Sequence, residues 1–154
     1  MAAGNGTPAD RPMLICYDGS RDARRAIMAA ADLLVRRPAV VLDVTPAVTA
    51  EEHEAAFLTP GPDSIELRVR DVRRVAHRGA LLARAQGLEA TGRIAVAGQV
   101  WKAVVQIADD VDASVIVVGS RRADEAHEVL DGSLSHDIAR HAGRPLLVVP
   151  PARS

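Results

Sequence analysis

The chain has 154 residues, of which 48% are hydrophobic, 25% charged and 2% aromatic, and its formal net charge at pH 7 is −1. This length and apolar content predict one domain with one buried core, while the near-zero charge and the scarcity of aromatic residues argue against nucleic acid as a partner. The single cysteine excludes an internal disulfide, and the lack of any run of 18 apolar residues or of a signal-peptide pattern predicts a cytoplasmic protein that does not enter a membrane.

Five short and continuous apolar runs predict β-strands. They consist mainly of valine, isoleucine, leucine and alanine without polar alternation, which is the pattern of strands covered on both faces. The runs are Met13 to Tyr17, Ala39 to Thr45, Arg93 to Ala97, Ser114 to Gly119 and Pro145 to Val149. The predicted sheet is therefore buried between two layers.

Between the strands, apolar residues recur at helical spacing. The predicted helices run from Ser20 to Arg36, from Ser64 to Ala90, from Gln99 to Asp110 and from Ser133 to His141. Ser20 is a suitable N-cap for the first helix, and Gly79 falls on the inner face of the second, which indicates close packing on the sheet. The alternation of strands and helices predicts an α/β fold in one domain, a doubly wound five-stranded parallel sheet with helices on both faces.

This domain is expected to span residues 12–150, with a disordered N-terminus at 1–11 and a short tail at 151–154. The segment 46–63 is long for a connection in a compact domain, and it is predicted to be a flexible insert. Within it, Thr49 and Glu52 have the spacing of a capping box for a short helix through Phe57, although a surface flap is the favoured interpretation.

Ligands of open parallel sheets bind beyond the carboxyl ends of the strands, so the residues there are the candidates for function. Asp18-Gly19-Ser20 follows the first strand and has two interpretations. Its carboxylate could bind an amino group or a metal, or the triplet could form a turn with a helix cap, and the triplet alone favours the turn. Gly119 ends the fourth strand. Gly132-Ser133-Leu134-Ser135 opens the last helix, where free N–H groups and the helix dipole favour an anion. Capping needs one of these serines, so the other is available for a phosphate.

Together these motifs resemble those of the universal stress protein family. The resemblance rests on MLICYDGS near the start, on Gly119-x-x-Arg122, nine residues and Gly132-Ser133-x-Ser135, and on RPLLVVP near the end. It covers the chain from Met13 to Pro150 and implies a Rossmann-like fold of the adenine-nucleotide alpha hydrolase type with strand order 3-2-1-4-5. It also implies an adenine nucleotide, such as ATP with Mg²⁺, as ligand, and a homodimer formed through the last strand, Leu146 to Val149.

The same resemblance implies the residues of the site. Asp18 would lie beside the adenine, and Val44 would offer backbone contacts to the base. The full set of candidate nucleotide-binding residues is Cys16, Asp18, Val44, Gly119, Arg121, Arg122, Gly132, Ser133, Leu134 and Ser135, with Gly119, Gly132, Ser133 and Ser135 around ribose and phosphates. No catalytic residue and no metal-ligating set is expected, because neither a nucleophile elbow, nor a phosphate-binding Gly-Lys loop, nor a histidine pair at helical spacing occurs.

One position departs from the family pattern. ATP-binding members have glycine where this chain has Arg122; a side chain there obstructs close backbone contact with phosphate, whereas its guanidinium can bond phosphate itself. Residues 120–131 hold two arginines and four acids, a balance that disfavours a triphosphate unless Mg²⁺ bridges the charges. Two hypotheses stay open: a regulatory domain that binds ATP or another adenine nucleotide weakly, with at most very slow hydrolysis, and a nucleotide-free homodimeric module for protein interaction.

Overall fold

The computed structural model describes residues 10–46, 63–120 and 131–153. Strands and helices alternate through these residues. The strands are β1 (Met13–Cys16), β2 (Ala39–Pro46), β3 (Ala90–Ala97), β4 (Val115–Gly119) and β5 (Leu146–Val149), and the helices are α1 (Arg21–Leu33), α2 (Asp63–Ala85), α3 (Val100–Asp110) and α4 (Asp131–His141). The short helix considered between Thr49 and Phe57 lies outside the described residues, as do most of the insert and of the N-terminus.

The five strands form one parallel sheet in the order β3-β2-β1-β4-β5, which confirms the predicted fold class and strand order. β1 lies at the centre and is the shortest of the three inner strands. Its last residue, Cys16, is the partner of Leu42, so β2 continues four residues further. On the other side Ile15 is the partner of Val117, and β4 continues to Gly119. The carboxyl end of β1 is therefore set back between two longer neighbours, and this leaves a recess in the edge of the sheet.

The core consists of two layers, one on each face of the sheet. Met13 and Ile15 pack among buried residues of α1 and α2, whereas Leu14, between them in sequence, packs among those of α3 and α4. All three side chains are fully buried, which explains why β1 has no polar alternation. No helix in the described part of the chain is both long and apolar enough to cross a membrane.

Gly79 confirms the predicted close packing of α2 on the sheet. A Cβ atom at this position would lie 2.5 Å from Cδ1 of Tyr17 and 2.7 Å from Cγ1 of Val41. These distances are far below van der Waals contact, so only glycine lets the helix approach this closely.

The boundary between α2 and β3 differs from the prediction. α2 ends at Ala85 rather than at Ala90, because Gly87 has a positive φ of +87° and the N–H of Leu88 donates to the carbonyl of Ala83 over 3.0 Å. This arrangement is a Schellman motif, which closes the helix on its last free carbonyls. The residues that follow then pair with β2 from Ala90 onward, three residues before the predicted start of the strand.

Arg144 ties the end of α3 to the loop before β5. Its Nη1 donates to the carbonyl oxygens of Ala108 and Ala113 over 2.9 and 2.7 Å, and its Nη2 donates to a carboxylate oxygen of Asp109. Only 16% of the Arg144 side chain is exposed, so these charged hydrogen bonds are largely shielded from water. They fix the C-terminus of α3 against the chain that enters β5.

Candidate functional site

The recess at the end of β1 opens into a cavity of about 290 Å³. It lies where the order of the strands reverses, because the chain leaves β1 towards β2 on one side and later returns to β4 on the other. The residues that line it come from the carboxyl ends of β1, β2 and β4 and from α1, α3 and α4: Cys16, Tyr17, Asp18, Ser20, Ala23, Leu42, Asp43, Val44, Val100, Val104, Val118, Gly119, Ser120, Leu134 and Ser135. Such a position is the usual ligand site of doubly wound sheets.

The structure brings together most of the predicted site residues. Those that line the cavity are Cys16, Asp18, Val44, Gly119, Leu134 and Ser135. Gly132 and Ser133 belong to the first turn of α4, directly before two of these residues. Arg121 and Arg122 lie outside the described residues.

Asp18 serves the turn after β1 and also faces the cavity. Its Oδ1 accepts a hydrogen bond of 2.9 Å from the N–H of Ser20, and Gly19 between them has a positive φ of +84°. Ser20 in turn caps α1, since its Oγ accepts from the N–H of Ala23 over 3.1 Å. The two interpretations of Asp18-Gly19-Ser20 are therefore compatible, because the turn holds the carboxylate at the rim of the cavity.

Gly119 is explained by a contact within the protein. A Cβ atom on Gly119 would lie 2.5 Å from the carbonyl oxygen of Asp22 and 3.1 Å from the nitrogen of Ala23. Both atoms belong to the first turn of α1, which packs across the end of β4. The close approach that requires glycine here is the approach of this helix, and a ligand is not needed to account for it.

The cavity is acidic on the side of β1 and β2. Burial raises the pKa of Cys16 to about 12, and the neighbouring Asp18 carboxylate raises it as well, so the thiol is neutral at physiological pH. Burial and then the charge of Asp18 likewise raise the pKa of Asp43 to about 6. No lysine, arginine or histidine is among the described residues that line the cavity. The surroundings of Asp18 and Asp43 therefore favour hydrogen-bond donors and disfavour anions.

Asp43 is the charged residue of the site that is absent from the predicted set. It is 9% exposed and is the one charged residue among the buried positions of the described chain. Its signal in the sequence is the single carboxylate inside the apolar run AVVLDVT, because a charged side chain in a strand buried on both faces costs desolvation energy. A buried acid at the carboxyl end of an inner strand points to a ligand site.

Trp101, the one tryptophan of the chain, is not among the described residues that line the cavity. It lies against the core between α3 and α4, and its ring stacks on that of His141 with centroids 4.4 Å apart. These contacts give Trp101 a packing role. Within the described residues, no group of three or more histidine, cysteine, aspartate or glutamate side chains is placed to hold a metal ion.

The sequence profile described as "Universal stress protein family" matches residues 11–150. The chain belongs to the universal stress protein family. The match includes every strand and helix of the described structure and all residues of the cavity. No sequence among the curated proteins matches this chain.

Solved structures of universal stress proteins share its fold. A family protein from Burkholderia pseudomallei is 25% identical, with a TM-score of 0.65 over 95% of this chain and 99% of that protein. The protein from Archaeoglobus fulgidus in complex with dAMP is 23% identical, with a TM-score of 0.61 over 92% of this chain and 98% of the other. A third, in complex with cAMP, is 21% identical, with a TM-score of 0.60 over 92% and 97% of the two chains.

Proposed function

We propose that this chain is a regulatory domain that binds an adenine nucleotide in the cavity at the end of β1. The observation that carries the proposal is the position of the cavity at the strand reversal, with Asp18, Gly119 and Ser135 in its lining. Two family members of the same fold were solved in complex with dAMP and with cAMP, and this supports an adenine nucleotide as the ligand.

The chemistry of the cavity supports one orientation of the nucleotide. The acidic side near Asp18 and Asp43 suits the amino group of a base or the hydroxyl groups of ribose, because both donate hydrogen bonds. The phosphates then lie near Gly119 and the first turn of α4, because the N–H groups of a first helical turn have no acceptor within the helix and favour an anion. At about 290 Å³ the cavity is just below the range for ligand pockets, roughly 300–1,000 Å³, which suits the nucleoside part.

The proposal is binding without efficient turnover, with at most very slow hydrolysis of ATP. The thiol of Cys16 is neutral at physiological pH because of its pKa of about 12, and it is a poor nucleophile in that form. Burial, and secondly the charge of Asp18, raise the pKa of Asp43 to about 6, but a single carboxyl without an oriented partner does not make a hydrolytic site.

The experiment that tests the proposal is titration of the purified chain with ATP and ADP, each with and without Mg²⁺, and with cAMP and dAMP, followed by calorimetry. Ser135→Tyr should block the cavity and abolish binding, since Ser135 lines it. His136→Tyr makes a similarly bulky change at the next residue of α4, which is exposed and outside the cavity, and should bind as the parent does. Absence of binding to the parent at millimolar nucleotide would overturn the proposal.

We expect the affinity for ATP to be weak, because the acidic side of the cavity and the charge of residues 120–131 both oppose a triphosphate. Arg122→Gly restores the glycine of the ATP-binding family pattern and should tighten ATP binding relative to the parent. Equal affinities of parent and variant would show that Arg122 does not limit binding.

A nucleotide-free module for protein interaction is the second candidate, and the edge strand β5 favours it. β5 pairs with β4 alone within the described sheet, and Val148 on it is 40% exposed. An exposed apolar edge is a surface for a second strand, so we propose a homodimer through Leu146–Val149. Val148→Lys should then give monomers in sedimentation velocity, whereas a parent that sediments as a monomer at all concentrations would exclude the dimer.

A further inference from the structure

Asp43 lies in β2 one residue beyond the end of β1, and it lines the cavity. Its partner in β3 is Ile94, but β1 has already ended at the level of Leu42. The residue is 9% exposed, and it lies in the lining of the cavity. The end of β1 therefore leaves a buried acid facing the space that a ligand would fill.

No residue in the described part of the chain donates a hydrogen bond to the Asp43 carboxylate. Every completely buried side-chain oxygen or nitrogen among the described residues has a hydrogen-bond partner. Because the Asp43 oxygens have no such donor, they are not completely buried and remain accessible from the cavity. A buried acid without a donor destabilises the folded state, because desolvation of its charge is not offset. A ligand that donates hydrogen bonds here would offset that desolvation.

The charged groups around Asp43 do not neutralise it. Asp18 follows β1 and raises the pKa of Asp43 by its charge, and Cys16 and Tyr17 are the other titratable groups among the described residues of the cavity. On β3, Arg93 pairs with Asp110 of α3 at 3.5 Å. The neighbouring helices α2 and α3 carry further charged or titratable residues in their N-terminal parts. These residues are exposed: Arg70, Asp71, Arg73, Arg74, His77 and Lys102.

We propose that Asp43 selects the base of the nucleotide, accepting a hydrogen bond from a base N–H in either ionisation state and donating one to a ring nitrogen only when protonated. The inference rests on the proposed nucleotide binding. Adenine presents an amino donor next to a ring-nitrogen acceptor, which matches a carboxylic acid. Guanine presents a ring N–H next to its 2-amino group, two donors that match a carboxylate.

The ionisation of Asp43 falls in the range where this choice depends on pH. Burial, and secondly the charge of Asp18, raise the pKa of Asp43 to about 6, so the acid form prevails at pH 5 and the carboxylate at pH 8. Adenine binding that needs the acid form weakens by up to about tenfold for each pH unit above the pKa. Guanine binding changes in the opposite direction, so the ratio of the two affinities is the informative quantity.

The test uses cAMP and cGMP as probes, because a phosphodiester does not titrate between pH 5 and pH 8 whereas a phosphomonoester does. Affinities of the full chain for both nucleotides are measured by calorimetry at pH 5, 6, 7 and 8. The parent should lose at least about tenfold in the ratio of cAMP to cGMP affinity over this range. Effects of pH on the phosphate or the ribose are common to both probes and cancel in the ratio.

Asp43→Asn is the decisive variant. The amide carries one donor and one acceptor whatever the pH, as the carboxylic acid does, so the variant should bind cAMP independently of pH and lose at least about tenfold in cGMP affinity at pH 8. Asp32→Asn, an exposed position on α1, should keep the pH dependence of the parent.

Three results separate the possibilities. A parent ratio that stays constant from pH 5 to pH 8, or an Asp43→Asn ratio that changes as the parent's does, would overturn the role of Asp43 and leave nucleotide binding intact. Failure of the parent and of both variants to bind either nucleotide or ATP at any pH would overturn the proposed function and this inference with it. Circular dichroism of Asp43→Asn checks that the variant is folded.

Discussion

Gly119 gives the sharpest test of how the end of β4 is built. Replacement by alanine would place a Cβ atom 2.5 Å from the carbonyl oxygen of Asp22, 2.7 Å from its carbonyl carbon and 3.1 Å from the nitrogen of Ala23. All three are backbone atoms in the first turn of α1, which the Ser20 cap holds in place. The clash cannot be relieved by rotation of a side chain, so α1 or β4 has to move.

Overpacking of this kind costs about 1–3 kcal/mol of the free energy of unfolding. For a chain of 154 residues, a loss of about 2 kcal/mol lowers the melting temperature by roughly 4–8 °C. Gly98→Ala is the matched control, because a Cβ atom there meets no atom within 4 Å and its φ is not positive. The same chemical change has the same effect on the unfolded chain at both positions, so the difference between the variants reports the folded contact alone.

Urea unfolding followed by circular dichroism at 222 nm measures both variants. Gly119→Ala should unfold at a lower urea concentration than Gly98→Ala, with an unchanged slope. Equal midpoints would refute the packing explanation and return Gly119 to a role in contact with ligand. Because the substitution also disturbs the rim of the cavity, loss of nucleotide binding in Gly119→Ala would not by itself identify a phosphate contact.

Three further predictions concern stability and reactivity. Arg144→Lys cannot reproduce the hydrogen bonds of the guanidinium to two carbonyls and a carboxylate, so it should lower the free energy of unfolding by about 2 kcal/mol. Arg153→Lys, the control at an exposed position, should leave the free energy of unfolding unchanged. Equal urea midpoints of the two variants would contradict this prediction. Because folding raises the pKa of Asp43 from 3.8 to about 6, the folded state binds more protons in that interval, and its stability falls as pH rises through it. Asp43→Asn removes this loss, so its free energy of unfolding in urea should rise by about 1–3 kcal/mol relative to that of the parent between pH 4 and pH 7. A difference between the two free energies that stays constant with pH would be inconsistent with a buried acid. Because the pKa of Cys16 is raised to about 12, its thiol should react with iodoacetamide at pH 8 at least about 100-fold more slowly in the folded protein than in urea. Mass spectrometry measures both rates, and equal rates would show a thiol of ordinary pKa.

The sequence was sufficient for those features of the fold that depend on local pattern. Continuous apolar runs identified all five strands, and helical spacing identified four helices, because a strand or helix buried by its neighbours must carry apolar residues with its own period. The Ser20 cap and the close packing of Gly79 were also predictable, the first from the preference of serine for helix starts and the second from its place on the inner face of α2. The family motifs supplied the strand order and six of the fifteen described residues that line the cavity.

The start of β3 and the roles of Gly119 and Asp43 depended on tertiary structure. β3 begins at Ala90 because β2 offers partners from Ala39 onward, and the sequence of β3 alone does not contain that register. Gly119 is required by the backbone of a helix almost a hundred residues earlier in the chain. Asp43 acquires its raised pKa from burial and from the charge of Asp18, which only the parallel pairing of β1 and β2 brings beside it. Local sequence determined which elements form, whereas the distances between remote residues, which no local pattern encodes, decided the chemistry at the end of β1.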